Sequence, residues 1–454
     1  MTAPKTARHS RTTRLAWPFL LALLFLFLPA SASAQINCTV ALSPCVNSGS
    51  LTNIGAGTID PGATLQNTAP GVLLNESGAT LNNNGMLTNN TGATLNNYGT
   101  LTNDARLYNN GTLSNFSGGQ LTNNTGATLT NNYTLTNFSG GWLFNFWVLN
   151  NYGTLTNDGE LTNNGTQGNG GGLFASGMLT NNGTLTNNGD MFAGGILTNN
   201  FTLTNDGTLS NFSGGTLTNS GTLTNGGTLT NNGTLMNSGF LLSSTSTGSF
   251  SVGSSGTLNN TGTGTINASD LTVSGMLQND GTIAMTGSNA LSILGGGTLG
   301  GNGSIFGNVA NAGTLNPGNP LGSMTINGDY TQTSGGAYTA DLGGVFAGQY
   351  DQLNVRGTAT LAGTLNVNLV NSFVVNLGDS FIIMTFNSPT GTFSILNLPT
   401  LASGLQWLLA YNPTNITLSA GGTQTPVPEP GTLLLFATGL SGLLWRRRRT
   451  HKAL

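Results

Sequence analysis

The chain has 454 residues, of which 69 are glycine, about twice the usual share, and 6% are charged, about a quarter of the norm. Residues 35–430 hold two basic residues, Arg106 and Arg356, against 14 carboxylates, with no lysine or histidine, a formal charge of −12. Such a body cannot neutralise a run of phosphates, which excludes nucleic acid as a partner, and it lacks the usual general base and metal ligand.

Residues 1–34 read as a secretory signal. Lys5, Arg8, Arg11 and Arg14 precede an apolar run over 15–28, and Ala32-Ser33-Ala34 supplies small residues for cleavage after Ala34. The run is shorter than the ~20 residues that span a bilayer, which disfavours an uncleaved anchor. Cys38 and Cys45 follow closely within residues 35–50. In an oxidising exported compartment this pair is expected to form one disulfide in an N-terminal cap.

From Leu51 the text becomes variations on Gly-Thr-Leu-Thr-Asn-Asn. Leucine, once methionine, recurs between Leu81 and Leu241 at spacings of 6 or 8, with a single 12. Strand side chains alternate with period 2, so even spacings keep every Leu on one side. The Gly, Asn and Thr content excludes helix. A hexad cannot bury its Leu alone, so units must stack. The expected fold over 51–294 is all-β, a parallel β-solenoid with three short faces and roughly 18–20 residues per coil. At ~4.8 Å per coil the rod would reach on the order of 60 Å. The Asn two residues after each Leu is expected to form amide ladders, and Asn-Gly or Asp-Gly to turn corners where φ > 0 is tolerated. Eight-residue variants such as TNNTGAT and SNFSGG read as wider corners. The Ser-rich stretch 243–255 shifts the register and is read as a joint in the rod. A disordered Asn-rich tract is the rival, but disorder has no reason to preserve Leu parity.

Trp142, Phe144 and Phe146 flank an inward Leu143 and are candidates for contact with a glycan or a partner protein, the alternative being that a wide corner folds them over the core. Phe116, Phe138 and Phe212 are expected as corner packing. No catalytic or metal-binding residues are expected, and no cofactor. Asp158 and Glu160 are the one close acid pair, separated by a glycine that suggests a solvated corner rather than a paired-carboxylate site. Asp104, Asp190 and Asp206 are expected at turns.

Beyond about residue 295 strands lengthen, as in 364–370 and 380–384, which predicts a better-packed module over 295–420. Gly313-Thr314-Leu315-Asn316-Pro317-Gly318, Gly328-Asp329-Tyr330-Thr331-Gln332 and Tyr350-Asp351-Gln352-Leu353-Asn354-Val355 resemble the end of autotransporter passenger domains. The resemblance implies a right-handed β-helix there. Those proteins continue into a translocating β-barrel, whereas 34 residues follow position 420 here, so self-export is not expected.

A linker over 421–430 ends in Val427-Pro428-Glu429-Pro430. An apolar stretch over 431–445, read as a short transmembrane helix, leads to Arg446, Arg447, Arg448 and Arg449 in a basic cytoplasmic tail, 446–454. This order resembles the PEP-CTERM sorting signal of Gram-negative bacteria, which implies an exosortase-type processing enzyme as partner. A permanent anchor is the alternative.

The sequence therefore predicts an exported, non-enzymatic structural or adhesive protein. Its course would run through an inner-membrane intermediate to the cell surface or extracellular matrix. Extracellular polysaccharide and other surface proteins are the expected partners. A polysaccharide-binding or polysaccharide-degrading β-helix is the first alternative, a disordered matrix filler the second.

Overall fold

A computed structural model describes residues 32–423 apart from Ala34, 166–171, 244–247 and Asn319. The n-region and apolar run of the secretory signal, the Pro-Glu-Pro motif, the apolar stretch 431–445 and the terminal arginines lie outside the described residues. Among the described residues no helix is long and apolar enough to cross a membrane. The chain divides into two compact units between Asn289 and Ala290, five residues before the boundary read from the change in strand length.

The first unit is a parallel β-solenoid with three strands per coil. Each strand pairs in parallel with the strand one coil away, so three faces result. Face I carries Leu73, Leu95, Leu113, Leu135 and Leu155 in register. Face II carries Leu81, Leu101, Leu121, Leu143 and Leu161, and face III Leu65, Leu87, Leu107, Leu129 and Leu149. Most strands have four residues, with the second and fourth buried and the first and third facing outward. Every repeat leucine from Leu81 to Leu241, and Met191 in its place, has 0% exposure. Each contributes roughly 1.5–3 kcal/mol by burial, which no isolated hexad would gain.

The fourth residue of the strand is usually asparagine, and these form the interior ladders. On face I, Asn53, Asn75, Asn97, Asn115 and Asn137 begin a series that runs unbroken to Asn279, each Nδ2 donating to the next Oδ1 at 2.7–2.9 Å. The second amide proton goes to a backbone carbonyl on the next face, one coil on, as from Asn75 to Thr100 at 2.9 Å. Each buried amide thus ties two coils and two faces, which satisfies a group that alone would be costly in an apolar core. Face II runs likewise from Asn83 to Asn225 and ends on Ser243 Oγ. Face III is interrupted by Ala175 and Ala193. The carbonyl oxygens of Asn83 and Asn211 find no donor, because Ile59 and Ala193 stand one coil before them.

Three expectations need correction. Between Leu81 and Leu241 coils span 18 residues, as from Leu95 to Leu113, up to 24, as from Leu155 to Leu179, because each wide corner adds two and one spacing is twelve. The Ser-rich stretch is no joint. Phe250 continues the core above Leu229, and Asn237 donates to Asn260 across it, so the odd residues are absorbed in the connection between faces II and III.

The corner glycines of the hexads are not in the left-handed region. They are required because coils approach closely: a Cβ on Gly189 would lie 2.0 Å from Gly165 O. Positive φ belongs to the wide corners. Gly92, at +77°, is the third residue of the turn Asn90-Thr91-Gly92-Ala93, closed by Ala93 N donating to Asn90 O at 2.9 Å. A type II turn demands such a residue at that position.

Cys38 and Cys45 are disulfide-bonded, with Cα atoms 6.0 Å apart. They are part of the solenoid as well as its start: Asn37–Cys38 pairs with Thr58 and Ile59, and Cys45–Asn47 with residues 65–67.

The second unit is also a parallel solenoid with longer strands. Ala337–Leu342 and Thr364–Leu369 pair over six residues. The motifs likened to passenger domains fall on Thr314–Pro317, Tyr330–Gln332 and Gln352–Val355. Large rings join leucine in this core: Tyr330, Tyr338 and Phe381 are fully buried, as are Leu315, Leu353 and Leu365. Tyr330 donates to Gln332 Oε1 at 2.7 Å and accepts from Asn311 Nδ2 at 3.1 Å. Here pairing becomes antiparallel, with Leu405–Tyr411 and Ser380–Thr385 flanking Asn415–Gly422. That antiparallel cap is not foreshadowed by the repeat.

Candidate binding surface and sorting signal

The strand Trp142–Asn145 lies on face II with Leu143 and Asn145 buried. Its outward positions are therefore Trp142, 41% exposed, and Phe144, half-buried, while Phe146 turns the following corner at 39% exposure. Phe144 and Phe146 tilt against each other with centroids 6.5 Å apart. Register sets the neighbours: Gln120 and Glu160 flank Trp142, and Thr122 and Thr162 flank Phe144. Gln120 Nε2 donates to Thr122 Oγ1 at 3.1 Å. An exposed indole between an amide and a carboxylate can stack on a flat, hydroxyl-bearing ring while its neighbours exchange hydrogen bonds with it. Further along face II, Thr184, Thr186, Thr202, Thr204, Thr222 and Thr224 extend the outward surface in register.

Phe116 and Phe138 pack at the corner between faces I and II, in a stack begun by Tyr98. Successive centroids are 4.3 and 4.8 Å apart and the planes nearly parallel. Phe212 stacks on Phe192 at 5.6 Å, which in turn meets Phe174. Sequence reading missed Tyr98, Phe174 and Phe192. Their signal was present as recurrence of an aromatic at one slot of successive coils, which becomes visible only once coil length is known.

The acids divide between corners and strands. Asp158 stands at a corner and accepts from Asn182 Nδ2 at 2.8 Å, while Glu160 opens the next strand, exposed beside Trp142. Asp104 accepts from Asn124 Nδ2 at 2.7 Å. Asp206 lies in a corner, its N–H donating to Asn187 O. Asp190 does not: it opens the strand Asp190–Ala193, facing outward. Among the described residues no three His, Cys, Asp or Glu side chains converge to hold a metal ion. Arg106 and Arg356 are both exposed, in different units.

The second unit holds a buried acid that the sequence did not single out. Asp351 is fully buried and accepts from Gly322 N at 3.1 Å and Asp341 N at 3.0 Å. Burial pushes its carboxyl up to about 7, with repulsion from Asp341 adding to the rise.

Residues 426–449 match the PEP-CTERM protein-sorting motif. The chain carries this sorting signal, which implies processing by an exosortase and marks an exported, cell-surface protein. Val427, Pro428, Glu429, Pro430, Arg446, Arg447, Arg448 and Arg449 all fall inside the match. No curated protein matches the chain. Among solved structures it is similar to a TibC-catalysed hyper-glycosylated TibA55-350 fragment, at 16% identity over 78% of this chain and 96% of that one, with a TM-score of 0.22. A score that low carries nothing for function, and the fold stands on the chain's own strand pairing.

Proposed function

We propose that this is a non-enzymatic structural and adhesive protein of the cell surface or extracellular matrix. An exosortase-type enzyme delivers it from an inner-membrane intermediate held by residues 431–445. The observation that carries the reading is the sorting motif at 426–449 on a chain whose body is a parallel β-solenoid. An interior of stacked Leu and Asn supports a role as a spacer, and the Trp142, Phe144 and Phe146 surface supports contact with extracellular polysaccharide or another surface protein. The body's charge of −12 favours a neutral partner over a polyanion.

Replacing Pro428 and Glu429 by Ala tests the processing step. The variant is expected to accumulate at full length in the inner membrane, while the wild-type extracellular form lacks Trp445 and the terminal arginines by mass spectrometry. Extracellular protein that retains those arginines would overturn the sorting step.

The second reading, a polysaccharide-binding or polysaccharide-degrading β-helix, is favoured by one observation, the adjacency of Glu160 to Trp142. Release of sugars by the wild type that is lost in Glu160→Gln would select it.

A further inference from the structure

Four of the Asn-Gly corners of the first unit form two contrasting pairs. Asn182-Gly183 stacks on the six-residue corner at Asp158-Gly159, and Asn188-Gly189 on Asn164-Gly165, where the spacing of twelve begins. There one carbonyl of the preceding coil accepts the glycine N–H, Gly183 N donating to Asn157 O at 2.9 Å and Gly189 N to Asn163 O at 3.1 Å. Their side-chain amides are also held, Asn182 Nδ2 by Asp158 Oδ1 and Asn188 Nδ2 by Asn164 Oδ1.

Asn84-Gly85 and Asn232-Gly233 stack instead on wide corners, closed by Ala63 N donating to Asp60 O and by Gly215 N donating to Phe212 O. At these two corners only the asparagine N–H meets a carbonyl: Asn84 N donates to Ile59 O at 2.9 Å and Asn232 N to Asn211 O at 2.8 Å. Among the described residues, the N–H groups of Gly85 and Gly233 and the side-chain amides of Asn84 and Asn232 have no hydrogen-bond partner.

We propose that Asn84 and Asn232 are sites of spontaneous deamidation in the folded protein, while the same dipeptide at Asn182 and Asn188 is protected. In the reaction the backbone nitrogen of the glycine loses its proton and attacks Cγ of the asparagine. The N–Cγ bond forms, the Cγ–Nδ2 bond breaks, and ammonia leaves carrying the displaced proton. Water then opens either carbonyl of the cyclic imide, giving aspartate or its backbone-extended isomer. A glycine N–H already donating to a carbonyl is harder to deprotonate and is fixed in direction, and an amide held by a neighbouring coil cannot swing onto it. Each event adds one negative charge to a body that starts at −12.

Solvent exposure points the other way, since Asn182 and Asn188 are exposed while Asn84 and Asn232 are half-buried. The two controls are therefore separable. Full-length protein is aged at mildly alkaline pH, folded and in concentrated urea, and peptides are quantified by mass spectrometry for the one-dalton gain and the isoaspartyl product. In the folded protein Asn84 and Asn232 are expected to convert several-fold faster than Asn182 and Asn188, and the four rates to converge in urea. Equal rates in the folded state, faster conversion at the exposed pair, or a difference that persists in urea would each overturn the proposal.

Discussion

Asn163 and Asn164 are neighbours in the chain, yet their side chains belong to hydrogen-bond ladders that run in opposite directions. Inside, Asn163 Nδ2 donates forward to Asn187 Oδ1 at 2.7 Å; outside, Asn164 Oδ1 accepts from Asn188 Nδ2 at 2.8 Å, so the donor lies one coil later. The inner direction is fixed by backbone carbonyls one coil on, which take the second amide proton. The outer rows obey a different constraint. Asp104 and Asp158 both stand at the accepting end of their rows, where a carboxylate, which cannot donate, costs nothing. These acids are ladder terminators, a role that accounts for a carboxylate at these two corners.

Interrupting an interior ladder should be expensive. Asn137→Ala removes the acceptor of Asn115 and the donor to Asn157 Oδ1, which are both fully buried. A loss of about 1–3 kcal/mol is expected, read as a lower midpoint in chemical denaturation. Thr136→Ala, on the outward side of the same strand, should change the midpoint little.

Repairing the natural gap should show coupling. Asparagine at 175 alone, or at 193 alone, leaves one amide end facing alanine. Together they would join Asn151 to Asn211, whose Oδ1 now has no donor. The Ala175→Asn/Ala193→Asn double variant is expected to be more stable than the sum of the singles by about 0.5–3 kcal/mol. Additive effects in a double-mutant cycle would contradict the ladder account.

Corner deletions should respect parity. Removing Ser117 and Gly118 together turns a wide corner into a hexad corner and keeps Gly119, where a Cβ would meet Asn97 O at 2.5 Å. Removing Gly118 alone inverts every later side chain until a bulge absorbs the slip. The double deletion is expected to keep the β-type spectrum and most of the stability, and the single deletion to lose more of both.

The second unit should lose stability as pH rises. An unfolded Asp351 ionises near 3.8, whereas the folded one holds its proton to about 7, so folding takes up a proton between those values. Stability from this group is therefore greatest below about 4, falls through the interval and levels off above about 7. Asp351→Asn should flatten that slope. It should also lower stability overall, because one of the two N–H donors, Asp341 N or Gly322 N, loses its acceptor. Denaturation midpoints at several pH values provide the check.

Much of the first unit was legible because its determinants are periodic. Leu parity named the core, and the Asn two residues on named the ladders. What escaped was set between coils rather than along the text. The rigid need for Gly189 comes from Gly165 O one coil back, not from its own backbone angle, and nothing local distinguishes the two causes. The stack of Tyr98, Phe116 and Phe138 was hidden for the same reason, since its spacings of 18 and 22 follow unequal coils. At the patch, outward placement of Trp142 and Phe144 follows from Leu143 pointing in, whereas Gln120 and Glu160 as its neighbours needed the register. In the second unit Asp351 gave no sign of burial, lying in a loop-like stretch rich in glycine and polar residues.

Pairing each strand only with strands one coil away has a consequence for how such a gene can change. Nearly identical coil sequences invite unequal recombination, which removes or inserts whole coils. A crossover that joins equivalent positions brings a forward-donating amide up to an accepting one on faces I and II, whose ladders are continuous, whichever of those coils are spliced. Length is thus open to rapid variation without redesign of the interior, while a single-codon change at a corner glycine is not. Selection on such a protein would be expected to act on the number of coils long before it acts on their content.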